Sequence, residues 1–226
     1  MSMGTFIIYI AILMIVPLFA QMKVKSTYKK YSKIATSSRK TGAQVAQEIL
    51  NQNGLYDVKI EEVQGTLTDH YDPRSKVVRL STNNYHGHSM ASSAVAAHEV
   101  GHAMQDAEEY TFLKFRTALV PLASFGSNSA MFIILAGIIF SANNLIGIGV
   151  LFMSFAVLFQ LVTLPVEFNA SSRAMDQLVS TGIIVNAEER DTKKVLNAAA
   201  LTYVAAALVA VAELMRFLLI FLNNRD

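Results

Sequence analysis

An uncharged stretch of about fifty residues is the feature that most limits how this chain can fold. From Thr117 to Val166 the sequence contains no Asp, Glu, Lys, Arg or His. One helix needs about 20 apolar residues to cross a bilayer, so the stretch is long enough for two crossings. Near its middle, Ser141-Ala142-Asn143-Asn144 supplies small polar residues that favour chain reversal. We therefore predict a transmembrane helical hairpin.

Two further apolar segments predict two more crossings. The first, from Thr5 to Ala20, has no basic residue before it and several lysines after it, so we expect a retained anchor rather than a cleaved signal peptide. The second runs from about Val195 to Leu222 and is interrupted by Glu213 and Arg216, which are three apart and can neutralise each other on a helix. The chain is thus predicted to have about four transmembrane helices.

The distribution of basic residues predicts the orientation. Thirteen of the 19 lysines and arginines lie between residues 21 and 116, and four more lie between 166 and 197. Because basic loops stay on the cytoplasmic side, both segments are expected there, in a multi-pass protein of the cell membrane. The net charge of +2, without a basic and aromatic array, gives no support for nucleic-acid binding. The absence of cysteine excludes disulfides and thiolate metal sites.

The first charged segment is predicted to combine helices with a little β-structure. Thr41 is placed to cap a helix that ends at Asn53-Gly54. After it, residues 58–60 and 76–81 are short and β-branched, and Asp72-Pro73-Arg74-Ser75 between them is typical of a turn. We expect a small antiparallel ribbon, which either covers the helices or holds an extended substrate by its edge.

His98-Glu99-Val100-Gly101-His102 is the pattern that points to chemistry. On a helix, residues i and i+4 lie on one face, so both imidazoles can reach one Zn²⁺ ion while Glu99 lies beside the open coordination position. Small residues around the pair, such as Ala94 and Ala97, allow close approach of a neighbouring helix. The pattern predicts a zinc site on a buried helix.

A catalytic zinc site needs a third protein ligand, and Glu167 is the candidate. The metzincin pattern is excluded, because Glu108 stands where its third histidine would be and Gln105 where its glycine would be. Glu167 is the first charged residue after the hairpin, which returns the chain to the side of His98 and His102. The alternative is that Glu167 only interacts with a helix dipole after Pro165.

These residues together resemble the YugP-type neutral zinc metallopeptidases, described as bacterial membrane proteases. The resemblance rests on the His98–His102 pattern followed by Glu167-Phe-Asn-Ala-Ser-Ser-Arg173-Ala, and on Thr41-Gly-Ala-Gln-Val-Ala and Tyr71-Asp-Pro-Arg. The layout is also similar to the HtpX and CAAX-protease group, which implies Glu167 as a zinc ligand. Ser171 stands where that group has Asp, which puts the carboxylate that orients a ligand histidine in doubt. Asn169 and Asp176 are candidates to replace it.

The expected activity is endopeptidase cleavage of membrane or membrane-proximal proteins through a zinc-activated water, with Glu99 as general base. Arg173 is a candidate oxyanion donor, and so are Tyr85 and two histidines that can equally be exposed loop residues, His86 and His88. A catalytically silent zinc-binding scaffold and an intramembrane-cleaving protease are the alternatives. The second finds little support, because the sequence around His98 is too polar to span a bilayer and no Leu-Asp-Gly is present.

The predicted fold class is a mainly α membrane protein with a zincin-like cytoplasmic α+β portion and a small β-ribbon. The chain divides into five segments. They are an anchor at 1–20, a zinc-peptidase segment at 21–116, the hairpin at 117–166, a helix with the third ligand at 167–194 and a last transmembrane helix at 195–222.

Overall fold

The computed structural model describes residues 2–223, so Met1 of the predicted anchor lies outside the described residues. The described chain is mainly helical with one small sheet, as predicted. Its elements in order are α1 (Met3–Tyr31), α2 (Gly42–Gln52), β1 (Lys59–Val63), β2 (His70–Asp72), β3 (Val77–Ser81), α3 (Thr82–His86), α4 (Met90–Ala107), α5 (Thr111–Ile139), α6 (Asn143–Ser180) and α7 (Asn186–Asn223).

The chain forms two compact units. The first consists of Thr111–Pro165 with the two chain ends, up to Phe19 and from Tyr203. The second consists of Ala20–Tyr110 and Val166–Thr202. Three helices contribute residues to both units, because α1, α6 and α7 each continue without a break past the end of their apolar part.

The first unit contains the whole of α5 and the apolar parts of α1, α6 and α7. Within residues 2–223, α1, α5, α6 and α7 are the helices long and apolar enough to cross a membrane. The chain reverses between α5 and α6 at residues 140–142, where Ser141 has a φ of 53°, while Asn143 and Asn144 of the predicted turn already belong to α6. A Cβ added to Gly126 would come within 2.4 Å of the carbonyl oxygen of Phe152, so glycine lets α5 and α6 approach closely.

A polar cluster connects the two chain ends inside the first unit. The hydroxyl of Tyr9 on α1 donates a hydrogen bond of 2.9 Å to Glu213 on α7. The predicted pair is present, with Arg216 at 3.1 Å from Glu213. The guanidinium of Arg216 also lies over the ring of Tyr9, 5.3 Å from its centre. Each charge therefore has a partner, as a position in an apolar helix requires.

The second unit is built on α2 and α4, which pack against each other over a buried apolar core. The prediction for α2 is confirmed in detail. Thr41 accepts a hydrogen bond from the backbone of Gln44 while the Gln44 side chain accepts one from the backbone of Thr41, a capping box. The helix ends at Asn53, and Gly54 adopts a φ of 71° that suits glycine.

The sheet corrects the predicted strand pairing. Its order is β1-β3-β2, and the two strands predicted from β-branched residues, β1 and β3, pair in parallel rather than antiparallel. The antiparallel partner of β3 is β2, whose short polar sequence His-Tyr-Asp gives no strand signal. The physical reason is the short turn at Asp72-Pro73-Arg74-Ser75, which can join only the strands directly flanking it. Residues 64–69 then carry the chain from β1 across to the far edge.

Candidate metal centre

Helix α4 presents the two histidines of the His98–His102 pattern side by side. Ser89 caps the helix by accepting a hydrogen bond from the backbone of Ser92. Most of α4 is buried, which its many alanines allow without overpacking. The rings of His98 and His102 lie with their centres 4.8 Å apart. Both side chains are largely buried, with 13% and 12% exposure.

Gly101 brings the part of α6 that follows Pro165 against this face of α4. A Cβ at Gly101 would lie 2.7 Å from the carbonyl oxygen of Ala170, closer than such atoms approach in practice. Only glycine therefore permits the observed distance between the two backbones. One turn before Ala170 on α6, Glu167 is 2% exposed, so its carboxylate is buried in the second unit beside the histidines.

The three predicted ligands meet at one point. The Oε2 atom of Glu167 lies 3.3 Å from Nε2 of His98 and 3.6 Å from Nε2 of His102. Ligand atoms of the three side chains all lie within 4.8 Å of one another. Two imidazole nitrogens and one carboxylate oxygen form a donor set that suits zinc and leaves a fourth position open. The cluster therefore fits the expected cofactor.

A chain of hydrogen bonds fixes the orientation of His102. The guanidinium Nε of Arg173 donates to Oδ1 of Asn169 at 2.8 Å, and the amide of Gln105 donates to the same oxygen at 2.9 Å and to the carbonyl of Val166 at 2.8 Å. Arginine can only donate and a carbonyl can only accept, so the amide oxygen of Gln105 must face His102. That oxygen lies 3.0 Å from Nδ1 of His102. Nδ1 therefore carries the proton and Nε2 is directed to the metal position.

His98 has a different partner. The hydroxyl of Ser171 lies 3.2 Å from Nδ1 of His98, so the residue that departs from the aspartate pattern itself contacts the ring. Of the two suggested replacements, Asn169 acts one step further out, through Gln105. Asp176 lies exposed on α6. Both candidate ligand histidines thus have a partner at Nδ1 and have Nε2 directed to Glu167.

The electrostatics of the centre favour positive charge. Burial lowers the pKa of His102, but the hydrogen bond with Glu167 and the negative charges of Glu99 and Glu167 outweigh it, so the pKa is raised above that of a free imidazole. Glu99 is itself buried, with 8% exposure. Two buried carboxylates near two imidazoles form a region in which a divalent cation would be stabilised.

The remaining candidate residues lie in varied surroundings. Arg173 forms a two-pronged ion pair with Glu108, with both nitrogen to oxygen distances at 2.7 Å, so its oxyanion role stays a prediction. His86 is exposed and lies 3.1 Å from Glu62. Tyr85 packs against the core of the second unit, and His88 lines a separate pocket with Tyr28 and Lys33.

Sequence reasoning missed Gln105 as a functional residue. Gln105 is fully buried and holds three partners, yet it was considered only as a departure from the metzincin glycine. One signal was present in the sequence. Gln105 follows His102 by three residues, which places its side chain on the same face of α4 as the ligand. A polar residue at that position of an otherwise buried helix needs a partner.

Comparison with known proteins agrees with this site. Residues 6–222 match the profile of the family described as "Putative neutral zinc metallopeptidase". The chain is 56% identical over 208 residues to "Putative membrane protease YugP" of Bacillus subtilis (strain 168), which covers 92% of each chain. No solved structure matches the chain. Because the family profile extends over nearly the whole sequence, including His98, His102 and Glu167, the chain belongs to this family of neutral zinc metallopeptidases.

Proposed function

We propose that this protein is a multi-pass membrane endopeptidase in which His98, His102 and Glu167 bind zinc and Glu99 is the general base. One observation carries the proposal. The buried carboxylate of Glu167 lies within 3.6 Å of Nε2 of both histidines, although Glu167 is 69 and 65 residues away from them in the chain. A carboxylate that serves only to interact with a helix dipole has no reason to converge on two imidazoles.

Each residue of the centre has a distinct role in the proposed reaction. Zinc bound there lowers the pKa of a water molecule and polarises the scissile carbonyl. Glu99 follows His98 directly on α4, where its carboxylate takes the proton of the attacking water and passes it to the leaving amine. Gln105 and Ser171 hold the imidazoles in position, and Arg173 fixes the direction of the hydrogen bonds that end at His102.

The proposed location follows from the charged segments. Residues 21–116 and 166–197 carry 17 of the 19 lysines and arginines, which supports a cytoplasmic position for the second unit and its metal centre. Helix α4 is not among the four helices of residues 2–223 that are apolar enough to span a membrane. Membrane proteins and membrane-proximal segments of other proteins are therefore the proposed substrates, and the cut is made at the surface rather than within the bilayer.

The decisive experiment compares the wild type with Glu99→Gln. The purified full-length protein in detergent is assayed for bound zinc by elemental analysis and for cleavage of unfolded casein and of a membrane-protein substrate. We expect Glu99→Gln to keep zinc and to lose at least about 100-fold in activity, since general base catalysis contributes on this scale. Glu188→Gln is the matched control. Glu188 is also buried in the second unit, but it accepts hydrogen bonds from Ser37 and Val185.

The same experiment separates the peptidase from a zinc-binding scaffold. A scaffold would bind zinc equally in the wild type, Glu99→Gln and Glu188→Gln. Any cleavage would then come from a contaminating protease, whose activity Glu99→Gln does not change. Equal cleavage by the wild type and Glu99→Gln would therefore refute the proposal. Loss of zinc in Glu167→Gln, with zinc kept in Glu188→Gln, tests the third ligand separately.

A further inference from the structure

An open pocket of about 490 Å³ lies between α1 and α7, on the side of these helices that belongs to the second unit. Three lysines line it, together with hydroxyl and amide groups. The polar lining residues are Lys23, Ser26, Thr27, Lys30, Lys194 and Asn197. On α1 these residues recur with helical spacing, so they form one continuous face. The pocket is distinct from the metal centre, because it shares none of the metal-centre residues.

The pocket has a net positive charge. Lys194 forms an ion pair of 2.6 Å with Asp191, whose carboxylate also accepts a hydrogen bond from the hydroxyl of Tyr31. The ammonium group of Lys30 lies over the ring of Tyr31, 5.1 Å from its centre. Three lysines thus line the pocket, and one of them, Lys194, is paired with a carboxylate. The remaining positive charge favours an anionic ligand.

The position of the pocket along α1 indicates which anion. The apolar part of α1 ends at Ala20, and at 1.5 Å per residue Lys23 and Ser26 follow about 4.5 to 9 Å beyond it. The headgroup layer of a bilayer is about 5 to 8 Å thick on each side of the hydrocarbon core. Lys23 therefore lies at headgroup depth, and Ser26 lies at the outer edge of the headgroup layer. On α7 the lining continues through Ala198 to Leu201, from the polar groups toward the apolar part of that helix.

We propose that this pocket binds the phosphate of an anionic phospholipid, whose acyl chains extend into the surrounding bilayer. Basic pockets between helices at the membrane surface hold such headgroups. Each lysine near an anionic membrane surface contributes about 1 kcal/mol. This is too little to retain a dilute soluble anion. It is enough for a ligand that is concentrated in the plane of the bilayer and also buries its chains.

Native mass spectrometry of the full-length protein tests the proposal. The protein in a neutral detergent is titrated with phosphatidylglycerol and phosphatidylcholine in equal amounts, and bound lipid is counted for each. The test variant is Lys23→Gln/Lys30→Gln. The matched control is Lys25→Gln/Lys29→Gln, which removes the same charge from the same helix. These two lysines lie more than about 100° round α1 from the centre of the pocket face.

We expect the wild type and the control to prefer phosphatidylglycerol, and the pocket variant to bind it about 30-fold more weakly, as the loss of two lysine contributions implies. Equal losses in the two double variants would overturn the proposal in favour of a general basic surface. Equal binding of both lipids by the wild type would also overturn it. Displacement of the lipid by millimolar inorganic phosphate or glycerol phosphate would show a soluble phosphate site and refute the assignment to a lipid.

Discussion

Replacing Gln105 by methionine tests whether the hydrogen bonds behind His102 control metal binding. Methionine has nearly the same length and volume, so the substitution removes polarity rather than packing. Gln105 is fully buried and makes bonds of 2.8, 2.9 and 3.0 Å. Two of its three partners keep other bonds. The carbonyl of Val166 belongs to the interior of α6, and Oδ1 of Asn169 still accepts from Arg173.

The free-energy cost of Gln105→Met therefore comes mainly from the imidazole of His102. Nδ1 of His102 loses its acceptor inside the protein, and an unsatisfied buried polar group costs about 1 to 3 kcal/mol. The imidazole is then free to rotate or to change tautomer, which turns Nε2 away from Glu167. Loss of such an orienting partner typically weakens metal binding about 10-fold to 100-fold, or about 1.4 to 2.7 kcal/mol. We expect zinc affinity to fall by this amount.

The assay is competition for zinc between the protein and a fluorescent chelator, with thermal unfolding of the metal-free protein measured in parallel. Gln177→Met is the matched control. Gln177 is also partly buried in the second unit and lies ten residues along α6 from Glu167. Its amide oxygen accepts a hydrogen bond from Asn53 rather than from a residue of the metal centre. A zinc affinity for Gln105→Met within threefold of the wild type, together with lower stability of the metal-free protein, would refute the reasoning. Gln105 would then be structural only.

Three further predictions follow from the same contacts. Gly101→Ala should lower zinc affinity as well as stability by about 1 to 3 kcal/mol, measured by chelator competition and thermal unfolding, because its Cβ would displace Ala170 and with it Glu167. Chelation should lower the unfolding temperature of the wild type but not of Glu167→Gln, and at a zinc concentration 100 times the Kd the difference corresponds to about 2.7 kcal/mol. Arg173 lowers the pKa of Glu108, so the pair stabilises the fold at neutral pH, and this contribution is lost as the pH falls below about 4. In Glu108→Gln the acid-dependent loss of stability of the metal-free protein should shrink by less than about 1 kcal/mol, since Glu108 is largely exposed.

The features that could be predicted from the sequence are those that depend on local periodicity. Residues without charge over the length of a bilayer crossing predict apolar helices, and the spacing of His98 and His102 places two ligands on one face. The helix at Gly42 follows from the capping residues around it. Glu167 was found because it is the first charge after the hairpin, a property of the chain order and not of any packing detail.

The features that could not be predicted depend on contacts between segments distant in sequence. β1 and β3 pair in parallel because the intervening β2, with only three residues and no apolar alternation, takes the antiparallel position. Gln105 is an ordinary polar residue until Val166 and Asn169 lie beside it. Ser171 suggested a missing carboxylate by comparison with related patterns. In the structure the hydroxyl of Ser171 lies 3.2 Å from Nδ1 of His98, so it contacts the ring where a carboxylate was expected.

The charges of the metal centre explain why both His98 and His102 have a hydrogen-bond partner at Nδ1. Glu99 and Glu167 are both buried, and burying two carboxylates without compensation is costly. One divalent cation with two neutral imidazoles brings the sum of the formal charges to zero. The orienting bonds to His98 and His102 support this balance, because they hold Nε2 of each ring toward the cation. Glu99→Gln and Glu167→Gln each change the total by one charge, but only the second removes a proposed ligand. Retention of zinc by the first and its loss by the second would therefore separate coordination from charge compensation.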